Sequence, residues 1–249
     1  MLSNGISETV GRKNIPDFDV IFHLAAFINV DESIEFPYMY MENNTLGTLN
    51  VLEYVKKHPN VKLIFASSAE VYGSAQTDLI SEEHLLNPAS PYAVSKLSAE
   101  QLCKNYVQLY GLDVTIIRNF NTFGEYQSGG KYGAVIAKFK ELALRGSQLE
   151  VYGSGEQIRD YMHISQAVEG YVLALNNKLP MIINFGSGNS VKIIDIAKYI
   201  ANKFGVGISH TAPRPGEIMR LQADISCALK YGYKASTDFW NQLERYLEL

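Results

Sequence analysis

Three stretches of the chain are apolar almost without interruption: DVIFHLAA (residues 19–26), VKLIFASSAEVYG (61–73) and LDVTIIRNFNTFG (112–124). Runs this short, with hydrophobic residues on both alternating sets of positions, predict strands buried on both faces, as in a parallel sheet. Between them the apolar spacing lengthens to that of a helix, over residues 38–57 and again over 91–111. The second helix carries Pro91 at its start and Gly111 just past its end, the usual asymmetry of helix termini. Strand, helix, strand, helix, strand at this spacing predicts right-handed parallel crossovers. The expected fold class is therefore α/β, a Rossmann-like doubly wound parallel sheet.

After Gly129 the rhythm changes. A helix over 134–146, a turn-rich piece LEVYGSGEQIRDYMHI, a helix over 165–176, a short strand MIINF, a helix over 191–204 and an irregular tail follow in turn. They predict a smaller C-terminal lobe interleaved with the last sheet elements, with a boundary near Phe123. The first 19 residues are polar and show no core pattern.

With 249 residues, 47% of them hydrophobic and 19% charged, the chain is long enough for one large domain or a domain with a lobe. Its formal net charge of −4 supplies no basic field for nucleic acid or an anionic membrane. The two cysteines, Cys103 and Cys227, are far apart and outside any metal-ligand spacing, so no metal site is expected. Neither a signal peptide nor a long apolar span is visible, and the expected location is cytoplasmic.

The chemistry centres on PYAVSKLSAE, where Tyr92 and Lys96 stand four residues apart and so share a helical face. Spacing alone is weak evidence, because Tyr199 and Lys203 repeat it on a stretch that reads as ordinary surface and core. Tyr92 differs in context. A strand ending in Ser67-Ser68 lies upstream, and the carboxyl ends of parallel strands border the ligand crevice. A tyrosine, a lysine and a serine together can remove a proton from a hydroxyl: the ammonium favours the phenolate and the serine holds the hydroxyl.

In order along the chain stand His23-Leu24-Ala25-Ala26, Asn43 to Asn50 (NNTLGTLN), Ser67-Ser68-Ala69-Glu70-Val71-Tyr72-Gly73, Tyr92-x-x-x-Lys96 and Arg118-Asn119-Phe120-Asn121. Later come Gly153-x-Gly155-Glu-Gln-Ile-Arg159-Asp160-Tyr161 and Arg214-Pro-Gly216-Glu217. This series resembles the extended short-chain dehydrogenase/reductases, the NAD-dependent nucleotide-sugar epimerases and dehydratases, from Asp19 onward. The resemblance implies NAD as cofactor and a nucleoside-diphosphate sugar as substrate. It implies Tyr92 as the base, Lys96 as the group that binds the nicotinamide ribose and lowers the Tyr92 pKa, and Ser68 as the anchor of the reacting oxygen. It places His23, Leu24, Ala25, Ala26, Asn44 and Ser67 beside the cofactor; the plainer reading of the strand end and Asn44 is packing and a helix cap. Asn121, Arg159 and Arg214 would grip the diphosphate, Glu217 would accept from ribose hydroxyls, and His163 is read as structural. Residues 1–123 would be the rest of a dinucleotide-binding domain carrying the catalytic residues, and 124–249 mostly the nucleotide-sugar lobe.

Within that family, 4,6-dehydratases carry an Asp-Glu pair where this chain has Ala69-Glu70. The missing acid favours a 4-epimerase working through a 4-keto-sugar, while Glu70 keeps a dehydratase or decarboxylase open. The glycine-rich loop that opens such folds is not found. Gly153-x-Gly155 and Gly186-Ser-Gly188 are decoys by position, so the chain is expected to begin inside the fold with about two βα units missing. Two expectations follow: an open strand edge that favours a homodimer or larger assembly, and the alternative of a non-catalytic nucleotide-sugar-binding protein.

Overall fold

The computed structural model describes residues 18–127, 129, 130, 133–214 and 217–248. All of the polar opening but Phe18 and Asp19 thus lies outside the described residues, as do Pro215 and Gly216 of the last motif. β1 (Val20–His23) leads to α1 (Val30–Glu35), α2 (Pro37–Tyr40), a π-helical stretch (Met41–Leu46) and α3 (Gly47–Lys57). β2 (Lys62–Ser68), a 3-10 turn (Ala69–Tyr72), α4 (Pro91–Tyr110) and β3 (Val114–Asn119) follow. The second half runs β4 (Asn121–Phe123), α5 (Val135–Leu144), β5 (Leu149–Tyr152), β6 (Ile158–Arg159), β7 (Tyr161–His163), α6 (Ile164–Asn176) and β8 (Ile182–Phe185). It ends with β9 (Val191–Lys192), α7 (Ile193–Phe204), β10 (Ile208–Thr211), β11 (Arg220–Leu221), α8 (Ser226–Lys230) and α9 (Phe239–Glu248).

The main sheet has the order β1-β2-β3-β8 with every neighbouring pair parallel, as the uniformly apolar strands predict. Leu63 and Phe65 of β2 point into a cluster with Leu52 of α3 and Cys103 of α4, while Ile64 between them joins Ile117, Met162 and Phe185 on the opposite face. Burying both sets of β2 side chains, at roughly 1.5–3 kcal/mol for each large one, requires a layer of helix on each side. Helix α6 approaches the sheet closely at Gly170, where a Cβ would come within 2.7 Å of the Phe185 ring.

β1 is the edge of the sheet, the open strand edge that was expected: among the described residues no strand pairs with its outer side, and Phe22 is 40% exposed. Two expectations change. The third apolar run is two strands. The chain leaves the sheet at Phe120, whose N–H donates to the Phe185 carbonyl, and Asn121 then pairs across to the Asp160 carbonyl. The tail is not irregular, for α9 buries Phe239, Leu243, Tyr246 and Leu247 against Phe123, Phe139 and Ile200 in the core of the second half.

Candidate active site

β2 carries Ser67 and Ser68 to its carboxyl end, and α4 starts beside it. That start is well defined: Ser90 accepts a hydrogen bond from the Ala93 N–H, and Pro91 occupies the first turn. Tyr92 and Lys96, one turn apart, are both buried on the sheet-facing side. Burial pushes the Tyr92 phenol up to about 12, against an opposing influence of the nearby Ser68 hydroxyl. Tyr40 supports the ring edge-on at 6.3 Å.

Lys96 is directed elsewhere. Its Nζ lies 4.4 Å from the centre of the Phe65 ring, and burial lowers it to about 8. His23 is within its electrostatic range: burial, then Lys96, lowers His23 to about 4, and its Nε2 meets Thr48 Oγ1 at 2.9 Å. The structure thus brings Ser68 to Tyr92, while the cation expected to ease Tyr92 ionisation faces an aromatic ring.

Ser67 and Asn44, both expected beside a cofactor, hold other parts of the protein. Ser67 Oγ donates to Glu100 Oε1 at 2.5 Å, and Arg118 grips the same carboxylate through Nε at 3.0 Å and Nη2 at 2.7 Å. Arg118 Nη1 reaches Tyr72 Oη at 3.0 Å, which continues to Asn184 Oδ1 at 2.7 Å. This buried network lies under the site and ties α4 to β2 and β3. Asn44 Oδ1 accepts from the Phe27 N–H at 2.8 Å, and its Nδ2 donates to the Phe27 carbonyl and to Ser95 Oγ, each at 2.9 Å. Its amide therefore braces the loop after β1, from which Leu24 and Ala26 line the cavity.

That cavity, about 540 Å³, is bordered by Ser68, Glu70, Tyr92, Lys96, Asn121, Arg159, Arg214 and Glu217, so most of the expected residues do converge. They are not free, however. Arg159 Nη2 sits 2.9 Å from Glu217 Oε1, and Arg214 Nη2 sits 3.1 Å from Asp31 Oδ2. The Arg214 guanidinium also stacks 4.0 Å over the Tyr152 ring. Glu70 lies among these charges; burial raises its pKa, Arg159 and Arg214 lower it, and Glu217 raises it.

Five buried side-chain atoms have no partner among the described residues: Asn119 Oδ1, Asn121 Oδ1, Gln127 Oε1, Gln157 Oε1 and Arg214 Nε. All five residues line this one cavity. Unpaired buried polar atoms cost about 1–3 kcal/mol each, so a wall holding several fits a polar ligand rich in hydrogen-bond donors and anionic oxygens. A nucleotide sugar and the polar parts of NAD meet that description. Gln127 and Asp31 had no motif to mark them, whereas Gln157 stands inside the motif that ends in Arg159-Asp160-Tyr161 and, two residues from Arg159 along an extended segment, shares its face.

The decoys have structural explanations. Tyr199 and Lys203 both bind Glu244. The Gly186–Gly188 turn wraps the Asp160 carboxylate, which accepts from the Ser187 N–H at 2.7 Å and the Gly188 N–H at 3.0 Å. His163 caps α6 in a capping box with Gln166, consistent with a structural role.

Comparison with known proteins identifies the family. The family described as GDP-mannose 4,6 dehydratase matches residues 13–244. A putative UDP-glucose 4-epimerase of Methanocaldococcus jannaschii is 34% identical over 235 residues, 93% of this chain and 77% of that protein. The UDP-N-acetylglucosamine 4-epimerase of Methanobrevibacter ruminantium, solved with UDP-N-acetylmuramic acid, superposes with a TM-score of 0.88 at 34% identity, covering 93% of this chain and 76% of that one. A dTDP-glucose 4,6-dehydratase of Streptomyces venezuelae, solved with NAD bound, gives a TM-score of 0.87 at 28% identity, over 92% and 72% of the two chains. Other relatives bear the names of nucleotide-sugar decarboxylases. With a family match over nearly the whole chain and these relatives behind it, the protein belongs to the GDP-mannose 4,6-dehydratase-type family of NAD-dependent nucleotide-sugar epimerases and dehydratases, within the extended short-chain dehydrogenase/reductases.

Proposed function

We propose that the protein is an NAD-dependent nucleotide-sugar 4-epimerase working through a 4-keto-sugar. The observation that carries this reading is the convergence of Ser68 and Tyr92 on a cavity lined by Arg159, Arg214 and residues with unpaired amide oxygens. Bound NAD would supply the acceptor, and then the donor, of the hydride exchanged at the sugar carbon. The rest falls to the chain's own side chains. Ser68 holds the sugar hydroxyl, Tyr92 Oη removes its proton and later gives it back, and Lys96, once turned from Phe65 toward the phenol, supplies the positive charge that keeps the phenolate accessible. Asn121, Arg159 and Arg214 hold the diphosphate, and Glu217 turns toward ribose hydroxyls when a phosphate takes its arginine. Lys96, Ala26 and the loop braced by Asn44 form the cofactor side.

On this reading the chain divides near Phe123 into a cofactor-binding part and a nucleotide-sugar lobe. The open edge of β1 favours pairing with a second copy, and the absence of any described helix long and apolar enough to cross a membrane accords with a cytoplasmic enzyme. Glu70 supports a second reading. A carboxyl of raised pKa in the same cavity is suited to proton transfer, as a dehydratase or decarboxylase requires.

The test is proton NMR of UDP-glucose, UDP-N-acetylglucosamine and UDP-glucuronic acid incubated with the protein and NAD. A 4-epimer supports the proposal, and a Tyr92→Phe variant is expected to lose at least ~100-fold in turnover while keeping its UDP affinity. A keto-deoxy or decarboxylated product moves the assignment to the second reading. UDP binding without conversion of any sugar leaves a binding protein.

A further inference from the structure

Asn119 ends β3 and is the register partner of Ser68 on β2, so the two side chains stand next to each other on one face of the sheet. Its amide nitrogen is committed to the protein. Nδ2 donates to Tyr171 Oη at 2.8 Å and, over a long 3.4 Å, to the Ser67 carbonyl. These partners fix the orientation of the carboxamide, because a half-turn would set Oδ1 against the lone pairs of the Ser67 carbonyl. In that orientation Oδ1 is buried without a partner, and both Asn119 and Tyr171 border the cavity alongside Ser68 and Tyr92. The Tyr171 ring in turn packs 6.2 Å from the Phe22 ring. An unpaired acceptor on a residue that borders the cavity beside Ser68 calls for a donor from the ligand.

We infer that Asn119 Oδ1 accepts a hydrogen bond from a neutral N–H or O–H donor at the reacting end of the bound ligands, with Tyr171 as the positioning residue that fixes its amide. The inference rests on the proposed function. Two groups carry that chemistry there: the carboxamide N–H of the nicotinamide and a hydroxyl of the sugar. An anionic group is disfavoured at this point, since Oδ1 would face it lone pair to lone pair.

The experiment is titration calorimetry on the full chain and its Asn119→Leu variant, with NADH alone, UDP-glucose alone and UDP as the reference. Leucine keeps the volume and removes the acceptor. The expected result is a loss of about tenfold for one ligand, with UDP unchanged. Loss on NADH assigns the nicotinamide carboxamide, and loss on UDP-glucose relative to UDP assigns a sugar hydroxyl. Tyr171→Phe, which frees the amide to rotate, is expected to weaken the same ligand by roughly threefold. A merely structural Asn119 would lower the melting temperature and leave the affinity ratios alone. Asn119→Leu affinities within about twofold of the parent for all three ligands overturn the inference while the proposed function stands. A parent protein that binds neither NADH nor UDP-glucose removes the proposed function, and this inference with it.

Discussion

Arg159 Nη2 and Glu217 Oε1 stand 2.9 Å apart, with both side chains largely shielded from solvent. The guanidinium assigned to a diphosphate is therefore already paired, and an incoming phosphate must compete with a carboxylate for the same fork. Hydrogen bonds to charged groups contribute roughly 1.5–3 kcal/mol. Arg159→Met is accordingly expected to weaken UDP binding by about 10- to 100-fold in calorimetry. A change under about threefold would place the diphosphate elsewhere in the cavity.

Lys96 predicts a trade of stability against activity. Burial lowers it from 10.5 to about 8, so folding disfavours its charged form. A base with a depressed folded pKa loses stability as pH falls from its unfolded value through its folded one. Here that window runs from about 10.5 down to 8, and the whole cost, on the order of 3 kcal/mol, is present at pH 7. Lys96→Met, which also gives up the contact with Phe65, is expected to raise urea stability at pH 7 by about 1–3 kcal/mol while abolishing turnover. The gain should disappear above pH 10.5, and a variant less stable at pH 7 would show that the ammonium is well compensated.

His23 follows the same sign at lower pH. Its folded value of about 4 lies below the usual 6.5, so its contribution is fully present above 6.5 and is lost as pH falls through 4. Comparing urea unfolding at pH 7 and pH 4.5, the parent should lose about 2–3 kcal/mol more than a His23→Gln variant, whose amide can still reach Thr48. Parallel pH profiles would assign the acid sensitivity to other groups.

Arg118 and Glu100 are both fully buried, and removing one leaves the other charge without its partner. Arg118→Met should cost about 3–5 kcal/mol in urea unfolding, with much of the loss recovered in the Arg118→Met/Glu100→Gln double variant. Additive losses in the double-mutant cycle would show that the two residues act separately.

The parts of this protein that are legible in its sequence are those determined by local spacing. β2 and β3 read as buried strands because both of their faces are apolar, and Pro91 and Gly111 mark the ends of α4. The open edge of β1 was expected from the pattern of motifs and not from its own composition, which matches a central strand. α9 was missed although Phe239, Leu243, Tyr246 and Leu247 follow helical spacing, because Trp240, Glu244 and Arg245 interrupt the apolar pattern. Ser68 with Tyr92 was legible from a strand end followed by a helix start. The pairing of Arg159 with Glu217 was not, because it depends on the parallel register of β6 with β11, which brings together residues 58 positions apart. The placement of Lys96 on Phe65 likewise follows from how α4 docks on β2, which spacing along one helix cannot reveal.

The grip of Asp160 on the Gly186–Gly188 turn has a consequence for anion selectivity. Successive backbone N–H groups in such a turn make a natural cradle for phosphate, but here the chain supplies its own occupant. A tethered carboxylate acts at an effective concentration of the order of millimolar or higher, and it remains in place whatever the phosphate level around the protein. The glycine-rich turn is thereby removed from competition for diphosphates, which on the proposed reading leaves Arg159 and Arg214 to supply the affinity for such a ligand.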